Sequence, residues 1–219
     1  LWPAEPDPPP LKEVDPARLA EALKRLCHDW MPPRRPRRYA DWILQYAAKF
    51  DVDPFTLAAL VYRSSRCLPR QKSNFGAGLT MLNLRMHGAY LRKRVYRYWV
   101  LEQGSWVEKE KALPDYGWVR GNMRKAKVNI YFAAALLSIH KEQCPNNDGA
   151  FGSMPHRHHV SHFVYGDRVM GAGPEDRVLR SRRRLLEYYN KVTPREGGKI
   201  KDLTLLAPLD GLPRKVTSG

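Results

Sequence analysis

Two small hydroxyls, Ser64 and Ser65, stand between Arg63 and Arg66 at the end of an apolar run, within LAALVYRSSRCLPRQKSNFGAGLTML. A serine there becomes a nucleophile only if a neighbouring base takes its proton. His87, His140, His158 and His162 could serve, but no spacing ties any of them to Ser64. The plain reading of the pair is a polar helix end. Acid chemistry would need a carboxyl instead. Glu102, Glu108 and Asp115 qualify only if the segment carrying them folds back over position 64; otherwise they are ordinary surface acids. In PHRHHVSHF, His158 and His162 are spaced i, i+4, so on a helix their imidazoles share a face, the minimum for a zinc pair. No Glu lies between them as a metalloprotease motif requires, and a solvated or core-satisfied cluster is the better reading.

The elements that must position these groups are mostly helical. Asp15-Pro16 and Asp53-Pro54 each read as an N-cap followed by proline in the first turn. Leu19, Leu23, Leu26 and Trp30 follow the first cap at helical spacing. The segment from Met31 to Arg38, with three prolines and four arginines, reads as a solvated connection. Tyr39, Trp42, Ile43, Tyr46, Ala47 and Phe50 make one amphipathic stripe, read as core rather than as an aromatic binding platform. After the second cap, Leu57, Ala58, Leu60 and Val61 lead into Ser64. From 85 to about 127 the chain is basic and aromatic, and YRYWVLEQGSWVEKE has the form of a short hairpin. Helix returns over Val128 to His140, and the last firm helix starts near Pro174. The arginines of RVLRSRRRLLEYYNK read as its solvent face, with Val178, Leu185, Leu186 and Tyr189 inward. The expected organisation is a proline-rich arm over 1–14, a mainly α domain over 15–190, and a basic tail over 191–219.

Composition narrows the class. The 219 residues are 43% hydrophobic, which excludes wholesale disorder and allows one sizeable core. Lys and Arg number 38 against 22 Asp and Glu, a net charge of +16 that favours polyanionic partners: nucleic acid, anionic lipid or an acidic wall polymer. No stretch approaches the roughly 18 uninterrupted apolar residues of a membrane helix. The sequence begins at Leu1 rather than Met, so a processed or trimmed form is expected, and any signal peptide would lie outside it. Cys27, Cys67 and Cys144 cannot all pair within the chain and match no zinc spacing; one disulfide plus a thiol and three thiols both stay open.

The corner around Ser64 resembles the SLT domain of lytic transglycosylases, in the lysozyme-like superfamily that includes goose-type lysozyme. The family pattern is Ala-Leu, then Glu-Ser, Pro, and Ser-x-x-Gly-Ala-x-Gly-Leu-Met-Gln. Here it runs Ala59-Leu60, Ser64-Ser65, Pro69, Ser73, Gly76-Ala77 and Gly78-Leu79-Thr80-Met81. Asn129-Ile130 with Ala133-Ala134 is similar to a later family helix, and HFVYGDRV to its Ala-Tyr-Asn-Ala-Gly segment. The resemblance covers about Arg38 to Tyr189. It implies a lysozyme-like helical fold, an insert at about 85–127, and peptidoglycan glycan strands as ligand. It also implies export to the periplasm and no metal or organic cofactor. Ser64 falls at the catalytic position; Ser65, Ser73 and Met81 are expected on the near wall of a sugar cleft, Phe163 and Tyr165 on the far one.

The departures bear on activity. The family's one catalytic Glu protonates the glycosidic oxygen, then acts as base while the sugar's own 6-hydroxyl closes an anhydro ring. Ser64 cannot give and retake a proton near neutral pH, and losing a general acid costs about 10²–10⁴-fold. The family Gln falls at Met81, the Tyr-Asn pair at Phe163-Val164, and the glycine turn is one residue shorter. The chain is therefore expected to bind with little or no turnover. Either it is a naturally non-catalytic wall-binding or scaffold protein, or its Glu was substituted; the family-like flanks argue for the second. A basic nucleic-acid-binding protein is a further alternative, and the less favoured one.

Overall fold

Asp53 begins the central helix. In the computed structural model its carboxylate accepts the N–H groups of Phe55 (3.2 Å) and Thr56 (3.1 Å), satisfying two donors that helix geometry leaves orphaned. Residues 9–27, 31–74, 76–93, 95–112, 122–143, 158–165 and 173–192 are described. They form a mainly α structure with a small antiparallel hairpin.

Helix α1 spans Pro16–Cys27, α2 Arg35–Phe50 and α3 Pro54–Ser65. Every residue of α3 from Pro54 to Tyr62 is buried, as in a helix packed on all sides. It ends at Arg66, in the left-handed region at φ 54°, with Arg66 N–H donating to Tyr62 C=O and Cys67 N–H to Val61 C=O. That double bond pattern closes a helix terminus. Cys67 is disulfide-bonded to Cys27 at the end of α1. Closing a 40-residue separation removes unfolded-state entropy equivalent to about 4 kcal/mol.

Short strands β1 (Gly76–Ala77) and β2 (Leu82–Asn83) pair antiparallel, Gly76 opposite Asn83. Helix α4 (Leu84–Lys93) follows directly. It lies within the segment read from composition as an insert, where the sequence suggested no helix. Its start signal is Asn83, whose Oδ1 accepts from Arg85 N–H (3.1 Å) and Met86 N–H (3.3 Å). Strands β3 (Val95–Glu102) and β4 (Ser105–Ala112) form the expected hairpin. Its two-residue turn, Gln103-Gly104, has φ of 48° and 82°, the left-handed pair that a tight hairpin turn requires. Lys111 Nζ fastens the hairpin to α5 (Ala126–Gln143) through Glu142 (2.7 Å) and Ser138 (3.2 Å).

Helices α6 (His158–Tyr165) and α7 (Gly173–Lys191) complete the described core. α1 packs on α2 and α7, α2 on α5, α3 on α7, and α6 on both α5 and α7. Tyr39, Ile43, Tyr46 and Ala47 are buried, as expected of a core stripe. Two expectations shift. α2 begins at Arg35 rather than Tyr39, because Pro36 is tolerated in a first turn. On α7, Arg182 is not on the solvent face: it is 1% exposed and its Nε donates to Asp53. At the other end, Leu11 packs against the core and Val14 is buried, so the chain joins the domain just before Asp15. Residues 1–8, Cys144 and 193–219 lie outside the described residues. No described helix is long and apolar enough to cross a membrane.

Candidate functional site

The end of α3 and the β1–β2 turn build one wall of a cleft. Arg63 and Ser64 occupy the last turn of α3 and line it. The chain then crosses Pro69 to Ser73, whose hydroxyl accepts from Gly76 N–H (3.1 Å) while its own N–H donates to Gly76 C=O (2.9 Å). Ser73, Gly76, Thr80, Met81 and Asn83 continue the wall. Val164 and Phe163 of α6, with Arg177 and Val178 of α7, complete the lining. The cleft encloses about 320 Å³.

Glycine is required at two points of the turn. A Cβ on Gly76 would sit 2.3 Å from Met81 O, and one on Gly78, at φ 82°, would sit 2.3 Å from Asn129 Nδ2. Asn129, buried on α5, is what the turn closes around. Its Oδ1 accepts from Thr80 N–H and Oγ1, and its Nδ2 donates to Ala77 and Met123 carbonyls. Thr80 is thereby spent on structure. Met81 next to it is half-buried with φ 48°, a left-handed conformation uncommon for a residue with a side chain.

Of the expected site residues, Ser64, Ser73, Met81 and Phe163 meet in this one cleft. Ser65 does not line it. It is 4% exposed and its hydroxyl donates to Val61 C=O at 3.0 Å. The bond back to the carbonyl one turn earlier holds that hydroxyl against the helix rather than in the groove. Phe163 contributes from a largely buried position, its ring stacked on His87 at 6.1 Å and its carbonyl 3.3 Å from His87 Nε2. Tyr165 closes α6, and its side chain lies outside the described residues.

The chemistry open to Ser64 is narrow. Among the described residues the cleft lining holds no carboxylate and no histidine. Glu102 sits on β3, paired with Lys109, and Glu108 is exposed on β4; neither lines the cleft. Asp115 lies outside the described residues. His87 and His140 are buried, and His162 stacks on His140 at 5.7 Å. No group of three or more His, Cys, Asp or Glu among the described residues could hold a metal ion. The phenols that burial perturbs, Tyr39, pushed up to about 12, and Tyr189, also raised, line no part of this cleft. What the cleft offers is hydrogen bonding, apolar contact and positive charge.

No family model, curated protein or solved structure matches the chain.

Sequence reasoning missed Arg63, Asn83, Arg177 and Val178 as lining residues. Arg63 was within reach, being adjacent to Ser64 in the last turn of a recognised helix. Arg177 and Val178 carry no local signal, since only the docking of α7 on α3 brings them to the cleft.

Proposed function

We propose that this protein is a lysozyme-like, transglycosylase-related binder of peptidoglycan glycan strands that does not cleave them. The observation that carries the reading is that Ser64, at the family's acid position, shares one cleft with Phe163 and Val164, at the family's far-wall positions. A stretched saccharide suits such a lining: Met81 and Val164 meet the C–H faces of sugar rings, and Ser64, Ser73 and Asn83 meet their hydroxyls.

Loss of turnover is read as natural. Three polar positions of the family pattern are changed together at lining residues: Glu to Ser64, Gln to Met81, and Asn to Val164. A single replaced acid would leave the other two in place. This weighs against the substituted-Glu reading that the flanking sequence favoured. Export is proposed on the same footing, supported by the Cys27–Cys67 disulfide, since such bonds persist in oxidising compartments.

The test is incubation with purified sacculi, followed by centrifugation and mass spectrometry of the supernatant. The protein is expected in the pellet with no anhydro-sugar fragments released. Protein that stays in solution defeats the binding reading; released fragments defeat the non-catalytic one.

A further inference from the structure

Charge in this cleft is one-sided. Among its described lining residues Arg63 and Arg177 are cationic and none is acidic. Several arginines elsewhere in the molecule are engaged: Arg182 with Asp53, Arg97 with Glu110, Arg37 with Asp41, and Arg66 with the hydroxyl and ring of Tyr62; what sets Arg63 and Arg177 apart is that both line one cleft. Arg63 and Arg177 are both exposed, and among the described residues neither guanidinium has a hydrogen-bond or ion-pair partner. They come from different helices, α3 and α7, and flank one enclosed volume. Glu175 and Asp176 precede Arg177, and their side chains lie outside the described residues.

Two unpaired guanidiniums beside neutral hydroxyls make a poor setting for a proton donor and a good one for an anion. Guanidinium presents a planar fork of donors that matches a carboxylate, and such charge-assisted bonds are stronger than neutral ones. The neighbouring hydroxyl of Ser64 makes no hydrogen bond among the described residues and is free to add a donor. We propose that the cleft is an anion site, in which Arg63 and Arg177 bind a carboxylate carried by the saccharide ligand. The proposal rests on the glycan-binding reading and deepens it. The carboxylate belongs either to an acidic substituent of the sugar itself or to a peptide attached to it. The cleft has thus changed from a place that delivers a proton to one that holds a negative charge.

Isothermal titration of the full chain with three probes tests this. They are an amino-sugar tetramer with free lactyl carboxylates, the same tetramer bearing stem peptides, and neutral chitotetraose. Wild type is expected to bind a carboxylated tetramer about tenfold more tightly than chitotetraose, and Arg63→Gln or Arg177→Gln to lose most of that tenfold preference. Gain for the free-lactyl probe alone assigns the anion to the sugar, gain for the peptide-bearing probe alone assigns it to the peptide, and equal gain for both shows that the site accepts a carboxylate from either. Equal affinity for all three, unchanged in both variants, overturns the anion site and leaves glycan binding standing. Binding to none of the three overturns both, as does a preference for single-stranded DNA over every glycan probe. Glu175→Gln with Asp176→Asn separates the remaining case: an anion preference that appears only in that variant also overturns the proposal.

Discussion

Asn129 on α5 accepts hydrogen bonds from both the backbone N–H (2.8 Å) and the hydroxyl (2.9 Å) of Thr80. The same amide donates to the carbonyls of Ala77 and Met123, each at 3.0 Å. One buried side chain thus satisfies four polar groups and holds the glycine turn against the core. Asn129→Ala would leave those groups buried without partners, at a cost of about 3 kcal/mol or more. Urea denaturation is expected to show that loss. Thr80→Val is expected to cost less, about 1–2 kcal/mol, because the backbone N–H keeps its acceptor. An Asn129→Ala variant as stable as wild type would mean the turn is held some other way.

Arg182 ties α7 to the start of α3. Its side chain is 1% exposed and pairs with the carboxylate that also caps α3. Removing one partner of a buried pair typically costs about 3–5 kcal/mol. Arg182→Ala is expected in that range, whereas Glu187→Ala, at an exposed position of the same helix, should stay within about 0.5 kcal/mol. Equal effects from the two would return Arg182 to the solvent face.

Local signals and tertiary ones were legible to different degrees. The proline-led caps at Asp15 and Asp53, the core stripe from Tyr39 and the 95–112 hairpin are written in residues close together in the chain, and they appear as read. Helix α4 was hidden because arginines and an internal glycine masked its periodicity, and only the Asn83 cap announced it. Arg182 looked like a surface arginine because its partner is Asp53, far away in the chain. The site divides likewise. Ser64, Ser73 and Met81 belong to one continuous corner, whereas Arg177 reaches it only through helix packing. Ser65 lies outside the cleft because its hydroxyl is bonded back to Val61 C=O, a contact that its neighbours in the chain do not signal.

Tyr39 gives the protein a dependence on alkaline pH. Its ring is buried and its hydroxyl has no partner among the described residues. Burial pushes its pKa up to about 12, partly offset by Arg35. Below about pH 10 the phenol is neutral in both folded and unfolded chains, and it contributes nothing to pH dependence. As pH rises from there toward 12, only the unfolded chain sheds the proton, so stability falls. Tyr189, also raised by burial, acts in the same direction. Tyr39→Phe should flatten this fall in thermal melts between pH 9 and 11 on the scale of ordinary phenol titration. At pH 7 it should be neutral or stabilising, because no buried hydroxyl is left unmet. An unchanged alkaline slope would show that Tyr39 ionises freely.

Ser64→Glu is expected to restore little or no cleavage. A carboxyl beside Arg63 and Arg177 would be held ionised, and an ionised carboxylate cannot protonate a leaving oxygen. Adding Arg63→Gln and Arg177→Gln should bring turnover closer than the single change. Mass spectrometry for anhydro-sugar products reads this directly. Full activity in the single variant would mean the cleft still suits an acid.

The most direct measurement of the central claim is a backbone-amide NMR titration with a muramic-acid-containing tetrasaccharide. The expected result is a saturable set of shifts concentrated at Ser64, Gly76, Met81, Val164 and Val178, the residues that wall the cleft. Shifts centred instead on the 95–112 hairpin or the outer face of α7, or no saturable shifts at all, would contradict it.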